Sequence, residues 1–335
     1  MTLHRFAGLR RRAAVLGFAA LLTAGAGVAV VATTSTSAPP DHTAGTRLSD
    51  VRVLAHFDRA AGQAAESIAL EPDGGAVIGL IPARQVVRVT PDGDVQVLVT
   101  LPPPPDGGGT TPLVGSPVVT GVARSEDGAL YFLYAAGQGG MTGIWRVHPS
   151  GEPQLVVSLP ADTFPNALVI DPEHDRFLVT DSSGGRIWQA PLRGGQASVW
   201  SADPALAPGG FFGVNGMKIH DGAVWASNTD YGTLVRIPMS EGGGSGRAEV
   251  RVAGLDGIDD FDFTGHGTEI LAAMNQSSKL VRVGAKGEQQ TLLDAGDGMQ
   301  GTTSVIVRGD RVYVTNGANM AGNDPHLLLA LLDKE

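Results

Sequence analysis

Six polar residues occupy equivalent positions in a repeat that runs through most of this 335-residue sequence. In chain order, these ring residues are Glu66, Thr120, Asn166, Asn215, Asp259 and Thr303, at intervals of 44 to 54 residues. Together they provide carboxylate, carboxamide and hydroxyl oxygens, with no thiolate and no paired imidazoles. Such hard oxygen donors suit Ca²⁺, or failing that another divalent ion such as Mg²⁺, better than zinc or copper. The sequence therefore predicts a cation site, provided that the fold brings these positions together.

The repeat that must position them is a unit of about 45 residues made of four short strands. Its clearest copy comprises residues 166–171, 176–181, 185–190 and 197–200, four short segments rich in apolar and β-branched residues and separated by turns that contain Gly or Pro. Repeated four-stranded units are typical of β-propellers, and no 3.6-residue periodicity indicates a helical solenoid. We predict an all-β protein, a six-bladed β-propeller. The last unit lacks one strand, and residues 51–57 are expected to supply it and close the ring.

In a propeller the first strand of each blade lines the central channel, so the ring residues are expected to surround the axis. For each Asn or Asp taken singly, a turn or cap role remains an alternative, since these side chains often hydrogen-bond to their own backbone. Carboxylates gathered without a neighbouring cation repel each other. That repulsion favours a bound ion, and we expect one Ca²⁺ in the channel.

Short motifs at five of the unit starts resemble the gluconolactonase and regucalcin (senescence marker protein) superfamily, to which paraoxonase, diisopropylfluorophosphatase and strictosidine synthase are related. The motifs are Glu66-Ser-Ile-Ala, Pro165-Asn166-Ala-Leu, Asn215-Gly216-Met217, Ile258-Asp259 and Thr303-Ser304. The resemblance extends over about residues 50–330 and implies a six-bladed propeller with Ca²⁺ at the channel mouth, hydrolysing lactones or phosphoesters. It implies that Glu66, Asn166, Asn215 and Asp259 are the metal ligands.

The sequence departs from that superfamily at two of these positions. Asn215 stands where gluconolactonases more often have Asp, and Ile258-Asp259-Asp260 replaces the usual Pro-Asp-Gly. We expect the additional carboxylate, Asp260, to turn towards solvent.

The favoured function is metal-assisted hydrolysis of a lactone or related ester, with Ca²⁺ as the Lewis acid. Asp259 and Glu66 are the catalytic candidates, and Asp259 is expected to act either as general base or as nucleophile. Substrate contacts are predicted for Thr120, Thr303, Phe212 and His326. Two alternatives stay open: a non-catalytic propeller that binds a ligand or protein around a structural Ca²⁺, and a metal-free condensing enzyme or lyase resembling strictosidine synthase.

The N-terminal 40 residues have the pattern of an export signal. Arg10, Arg11 and Arg12 precede an apolar run over residues 13–32, and small residues at 35–38 suggest a cleavage site. The Arg pair loosely matches a twin-arginine signal. We therefore predict a signal peptide and cleavage region at 1–40, a linker at 41–49 and a single propeller at 50–335, secreted or otherwise extracytoplasmic. Membrane attachment is expected only if the signal stays uncleaved, because its apolar run could span a bilayer.

Charge narrows the range of partners. The chain has 24 Lys and Arg against 34 Asp and Glu, a formal net charge of −10. Nucleic-acid binding requires clustered basic residues, so it is not expected. We expect a small-molecule substrate and a monomeric protein.

Overall fold

The computed structural model describes residues 46–105, 109–148, 151–319 and 322–333. The predicted signal peptide and most of the predicted linker lie outside these residues. The described part contains 24 strands and two short 3₁₀ turns, Pro204–Leu206 and Ala295–Asp297. No helix in these described ranges is long and apolar enough to cross a membrane.

The strands form six four-stranded antiparallel sheets, arranged as the blades of a β-propeller. The first strand of the chain is β1 (Leu48–His56), which belongs to the last blade. Blade 1 has β2 (Gln63–Leu70), β3 (Ala76–Pro82), β4 (Gln85–Val89) and β5 (Val95–Thr100). Blade 2 has β6 (Val118–Arg124), β7 (Leu130–Ala135), β8 (Gly143–Val147) and β9 (Pro153–Ser158). Blade 3 has β10 (Pro165–Asp171), β11 (Arg176–Asp181), β12 (Arg186–Pro191) and β13 (Ser198–Ser201).

The second half of the ring repeats the same order. Blade 4 has β14 (Val214–His220), β15 (Ala223–Asn228), β16 (Thr233–Pro238) and β17 (Glu249–Val252). Blade 5 has β18 (Ile258–Phe263), β19 (Ile270–Met274), β20 (Lys279–Val283) and β21 (Gln289–Leu293). Blade 6 has β22 (Thr302–Arg308), β23 (Arg311–Asn316) and β24 (His326–Leu332), with β1 as its outer strand. The predicted six-bladed all-β architecture is confirmed.

Ring closure depends on the pairing of the two ends of the described chain. β1 runs antiparallel to β24, from Leu48 opposite Leu332 to His56 opposite His326. The closing strand begins at Leu48, inside the segment that the sequence predicted as linker. A strand from one end of the chain thus covers an edge that the other end would leave exposed.

The hydrophobic core lies between adjacent blades. Every residue of the second strands β7, β11, β15 and β19 is buried, whereas the outer strands β5 and β17 are largely exposed. Val77 and Val86 of blade 1, for example, belong to the same buried cluster as Val119 and Phe132 of blade 2. Because each blade packs on both neighbours, the inner strands are held in place from both sides.

Candidate functional site

The ring residues all lie at irregularities in the innermost strands. The register of the first strand against the second shifts at Glu66, Thr120, Asn166, Asn215, Asp259 and Thr303. Such β-bulges insert an unpaired residue and redirect its side chain. The structure places all six residues inside strands. A turn or cap role therefore does not explain them.

Neighbouring bulges approach each other closely at the channel. A Cβ added to Gly216 would lie 2.4 Å from Asp260 Oδ1 and 2.6 Å from Asp260 Cα. A Cβ added to Gly121 would lie 2.5 Å from the carbonyl oxygen of Asn166. Real Cβ atoms do not make contacts this short, so glycine is required after Thr120 and after Asn215 for the blades to meet.

Hydroxyl groups join each bulge to the next blade. Thr180 Oγ1 donates to the carbonyl oxygen of Asn215 (2.7 Å), and Ser227 Oγ donates to that of Asp259 (2.6 Å). Thr120 Oγ1 likewise donates to Pro165 O (2.7 Å), and Thr303 Oγ1 to Ala65 O (2.9 Å). The backbone carbonyls of Asn215 and Asp259 each accept a hydrogen bond from the preceding blade, and both residues line the cavity described below.

A second set of hydroxyls orients the two carboxamides. Ser182 Oγ donates to Val214 O (2.7 Å) and accepts from Asn166 Nδ2 (3.1 Å). Thr229 Oγ1 donates to Ile258 O (2.8 Å) and accepts from Asn215 Nδ2 (3.0 Å). A hydroxyl has a single hydrogen, and here it goes to a carbonyl, so the amide must donate through its nitrogen. The opposite end of each amide, the oxygen Oδ1, is then the end available to a cation.

Two carboxylates enter the same space without a compensating charge. Glu66 Oε2 is buried and has no hydrogen-bond partner. Burial, with the charge of Asp260, raises the pKa of Glu66 to about 7. Burial, then the charges of Glu66 and Asp260, raise the pKa of Asp259 well above its usual range, and hydrogen bonds from Asn215 and Asn275 oppose that rise. Among the described residues, no Lys, Arg or His side chain forms an ion pair with Glu66 or Asp259.

Glu66, Asn166, Asn215 and Asp259 fit a hard divalent cation. Such an ion would coordinate the unpartnered oxygen of Glu66 and the two oriented amide oxygens. It would also balance the charges of Glu66 and Asp259. Within the described ranges, no three His, Cys, Asp or Glu side chains form a metal-binding group, so carboxamide oxygens are needed to complete this donor set.

Asp260 does not turn towards solvent, contrary to the sequence prediction. Its Oδ1 pairs with Lys218 Nζ at 2.7 Å, and its Oδ2 accepts a hydrogen bond from Ser304 Oγ. Lys218 lies on β14 and Ser304 on β22, so Asp260 bridges the two blades that flank its own. Lys218 thus balances Asp260 and leaves the charges of Glu66 and Asp259 for a ligand.

A cavity of about 400 Å³ opens on one side of the four proposed ligands. On their other side lies a narrow space of about 20 Å³, which Asp260, Thr303 and Ser304 also line. Phe212 and Thr120, predicted as substrate contacts, line the wide cavity. Thr303 lines only the narrow space, where a substrate in the cavity would not contact it.

The side chain of His326 does not reach the cavity, although the sequence predicted a substrate contact. It lies at the start of β24, only 1% exposed, with Nδ1 2.8 Å from Asp324 O. Its Nε2 is buried and has no hydrogen-bond partner. A strand that pairs with both β1 and β23 holds it within the blade, away from the axis.

The burial of His326 predicts a loss of stability in acid. Burial lowers the pKa of His326 below 6.5, against smaller opposing effects of Asp324. His326 is therefore protonated near pH 6.5 in the unfolded chain, but only at a lower pH in the folded chain. Because the unfolded state binds more protons in this range, the free energy of unfolding decreases as pH falls below 6.5. The melting temperature should fall more in wild type than in His326→Gln between pH 7.5 and 5.5. The exposed His266 provides the matched control His266→Gln, which should behave as wild type; an equal loss in His326→Gln would contradict the prediction.

Sequence reasoning missed Asp230, which holds one wall of the cavity. Its Oδ2 accepts hydrogen bonds from the backbone N–H groups of Gly209, Gly210 and Phe211 at 2.7–2.8 Å, and its Oδ1 accepts that of Phe212 at 3.1 Å. Asn275, which lines the cavity together with Asp259, was missed as well. Both follow the buried second strand of a blade, where a polar residue recurs in several repeats. This recurrence in the sequence could have indicated both residues.

The fold and the ring together define a six-bladed β-propeller with an oxygen-rich site at the base of a cavity. No family model matches the sequence, and no curated protein matches it. Three solved structures illustrate the similarity of fold. A gluconolactonase from Xanthomonas campestris has a TM-score of 0.63 and 16% identity, covering 86% of this chain and 91% of its own.

The second structure is regucalcin from Agrobacterium tumefaciens, described as a calcium-binding protein, with a TM-score of 0.59, 16% identity and coverage of 85% of this chain and 95% of its own. The third is a virginiamycin B lyase from Staphylococcus aureus, with a TM-score of 0.56, 13% identity and coverage of 86% of this chain and 100% of its own. The predicted resemblance to gluconolactonase and regucalcin is confirmed in fold. A hydrolase and a lyase share that fold, so the chemistry must be argued from the site.

Proposed function

We propose that this protein is an exported, Ca²⁺-dependent hydrolase of lactones or related esters. The observation that carries the proposal is the base of the cavity, where two uncompensated carboxylates and two oriented carboxamides meet. The similarity of fold to a gluconolactonase and to a calcium-binding regucalcin also supports this proposal. Export rests on the N-terminal sequence, whose basic and apolar segments have the pattern of a signal peptide.

Glu66, Asn166, Asn215 and Asp259 would hold the ion. When bound, Ca²⁺ supplies Lewis-acid polarisation of the substrate carbonyl and stabilises the negative charge that develops on its oxygen. The backbone around these residues is fixed by the hydroxyl bonds between blades, so the four side chains are preorganised.

Asp259 is the proposed general base. Its carboxylate lies at the base of the cavity that a substrate would enter, where Asn215 and Asn275 line the same space. A water oxygen bonds to the carbonyl carbon while Asp259 accepts the proton of that water. The C–O bond to the leaving oxygen then breaks, and Asp259 returns the proton to that oxygen. A lactone and one water thus give one hydroxy acid, with no other reactant.

The test is hydrolysis of lactones and aryl esters by the full chain, stripped of metal with EDTA and then titrated with Ca²⁺. Activity should be absent after stripping and return with added Ca²⁺. A Ca²⁺-induced rise in melting temperature without any hydrolysis would favour the non-catalytic propeller. Hydrolysis that EDTA does not affect would contradict metal dependence.

A further inference from the structure

We infer that the cavity accepts a lactone or ester carrying an extended apolar group, an alkyl chain or an aromatic ring, rather than a polyhydroxylated sugar lactone. The inference rests on the proposed function, because it assumes that the protein hydrolyses lactones or esters. The choice of substrate is argued separately, from the residues of the cavity walls.

The walls above the proposed ligands are apolar. Phe164 and Phe212 meet edge to face with their ring centroids 5.5 Å apart, and Phe211 meets Phe212 in the same way at 4.6 Å. Val118 and Ile81 belong to the cluster around Phe164 and also line the cavity. Each methylene that such walls remove from water strengthens binding about fourfold.

Several polar groups of the cavity are already engaged in hydrogen bonds within the protein. The carboxylate of Asp230 already accepts four backbone N–H groups, and Thr229 both donates to Ile258 O and accepts from Asn215. The Thr120 hydroxyl hydrogen is used by Pro165 O. Neutral polar side chains from Ser116, Asn275, Gln276 and Asn319 also line the cavity. A sugar hydroxyl that lies against Phe164, Phe212 or Val118 would have no hydrogen-bond partner on that wall, which weakens sugar binding.

The aromatic wall is fixed rather than collapsed. Phe211 is 51% exposed, an unusual exposure for so large an apolar side chain. The four hydrogen bonds from residues 209–212 to Asp230 hold the backbone of this loop, and Phe211 packs edge to face on Phe212. A preformed apolar wall loses little conformational entropy when an apolar group binds to it.

The first experiment compares kcat/KM for δ-decalactone, unsubstituted δ-valerolactone and glucono-δ-lactone in saturating Ca²⁺. We expect δ-decalactone to exceed δ-valerolactone at least tenfold, about the gain from two methylenes, and glucono-δ-lactone to be the poorest. Phe212→Asn should reduce the preference for δ-decalactone about tenfold. Phe211→Asn should reduce it too and carries little risk to folding, because Phe211 is already half exposed. Val250→Asn, at a 55% exposed position on the outer strand β17, is the matched control and should keep the wild-type preference.

A binding experiment separates the substrate class from the reaction. Isothermal titration would compare a pentyl-substituted δ-lactam with the unsubstituted δ-lactam, using lactams as ring analogues that resist hydrolysis. Tighter binding of the pentyl lactam without hydrolysis of any lactone would support the apolar cavity and overturn the hydrolase proposal. Hydrolysis of all three lactones with glucono-δ-lactone as the best substrate would keep the hydrolase and overturn this inference, as would equal binding of the two lactams.

Discussion

Asp259→Asn is expected to raise the melting temperature of the Ca²⁺-free protein and to remove most of the increase that Ca²⁺ gives the wild type. Without a cation, Asp259 must either stay ionised close to Glu66 and Asp260 or take up a proton in the folded state, and both cost folding free energy at neutral pH. Asn has almost the same shape and carries no charge. The metal-free variant should therefore be more stable than the metal-free wild type.

With Ca²⁺ present, the order should reverse. At a Ca²⁺ concentration 100 times the dissociation constant, the wild type gains about 2.7 kcal/mol, or roughly 5–10 °C in melting temperature. Asp259→Asn loses half of the uncompensated charge and should gain little. Its lactone hydrolysis should fall at least about 100-fold, since both an ion ligand and the proposed base are lost.

Thermal melts with EDTA and with a series of Ca²⁺ concentrations measure both halves of this prediction. Glu66→Gln should behave in the same way, because Glu66 is the other carboxylate of the site without a compensating cation, and its Oε2 has no hydrogen-bond partner. Asp92→Asn removes an exposed carboxylate and is the matched control, expected to follow the wild type with and without Ca²⁺. A metal-free Asp259→Asn that melts below the wild type and still gains the full Ca²⁺ increment would refute the proposed site.

The blade count and the ring positions could be predicted because the repeat determines both. Four short strands per unit specify a blade, and one polar residue recurs at the start of each unit's first strand. The closing strand could be predicted by counting strands, since the last unit has one strand fewer than the others. Its first residue could not, because Leu48 pairs with Leu332 through a long-range contact that no local pattern marks.

The predictions that failed concern side-chain direction, which a two-residue alternation cannot determine at a bulge. Asp260 follows Asp259 in the bulge, and a regular strand would have sent it to the opposite face. Instead the bulge directs its side chain to Lys218 and Ser304. Lys218 and Asp260 are 42 positions apart in the sequence, so no local pattern indicates their ion pair. His326 was assigned to a loop from its neighbours Asn323, Asp324 and Pro325, whereas its pairing with β1 and β23 places it inside a strand.

The charge of the channel emerges only when the blades are assembled. Three carboxylates gather there, from Glu66, Asp259 and Asp260, and Lys218 balances one of them. Neither the −10 charge of the whole chain nor the neighbours of any one residue shows this local balance. The two remaining negative charges match a divalent ion, which is why the assembled site supports Ca²⁺ more strongly than the residue types alone.

A close approach of two blades at the channel can be tested by adding one methyl group. Gly216→Ala would place a Cβ 2.4–2.9 Å from Asp260 Oδ1, Asp260 Cα and the carbonyl oxygen of Asp259. Two of these three atoms are backbone, which cannot move aside without shifting the bulge that carries Asp259. We expect a destabilisation of about 1–3 kcal/mol and a Ca²⁺ affinity at least tenfold weaker, since the proposed ligand moves with its backbone.

Gly242→Ala is the matched control, because Gly242 is exposed and no atom would lie within 4 Å of an added Cβ. Denaturant unfolding and Ca²⁺ titration of both variants measure the two effects separately. The control should match the wild type in stability and in Ca²⁺ affinity. If Gly216→Ala lowered stability while leaving the affinity unchanged, the ion would have to bind away from Asp259, because a displaced bulge necessarily moves that carboxylate.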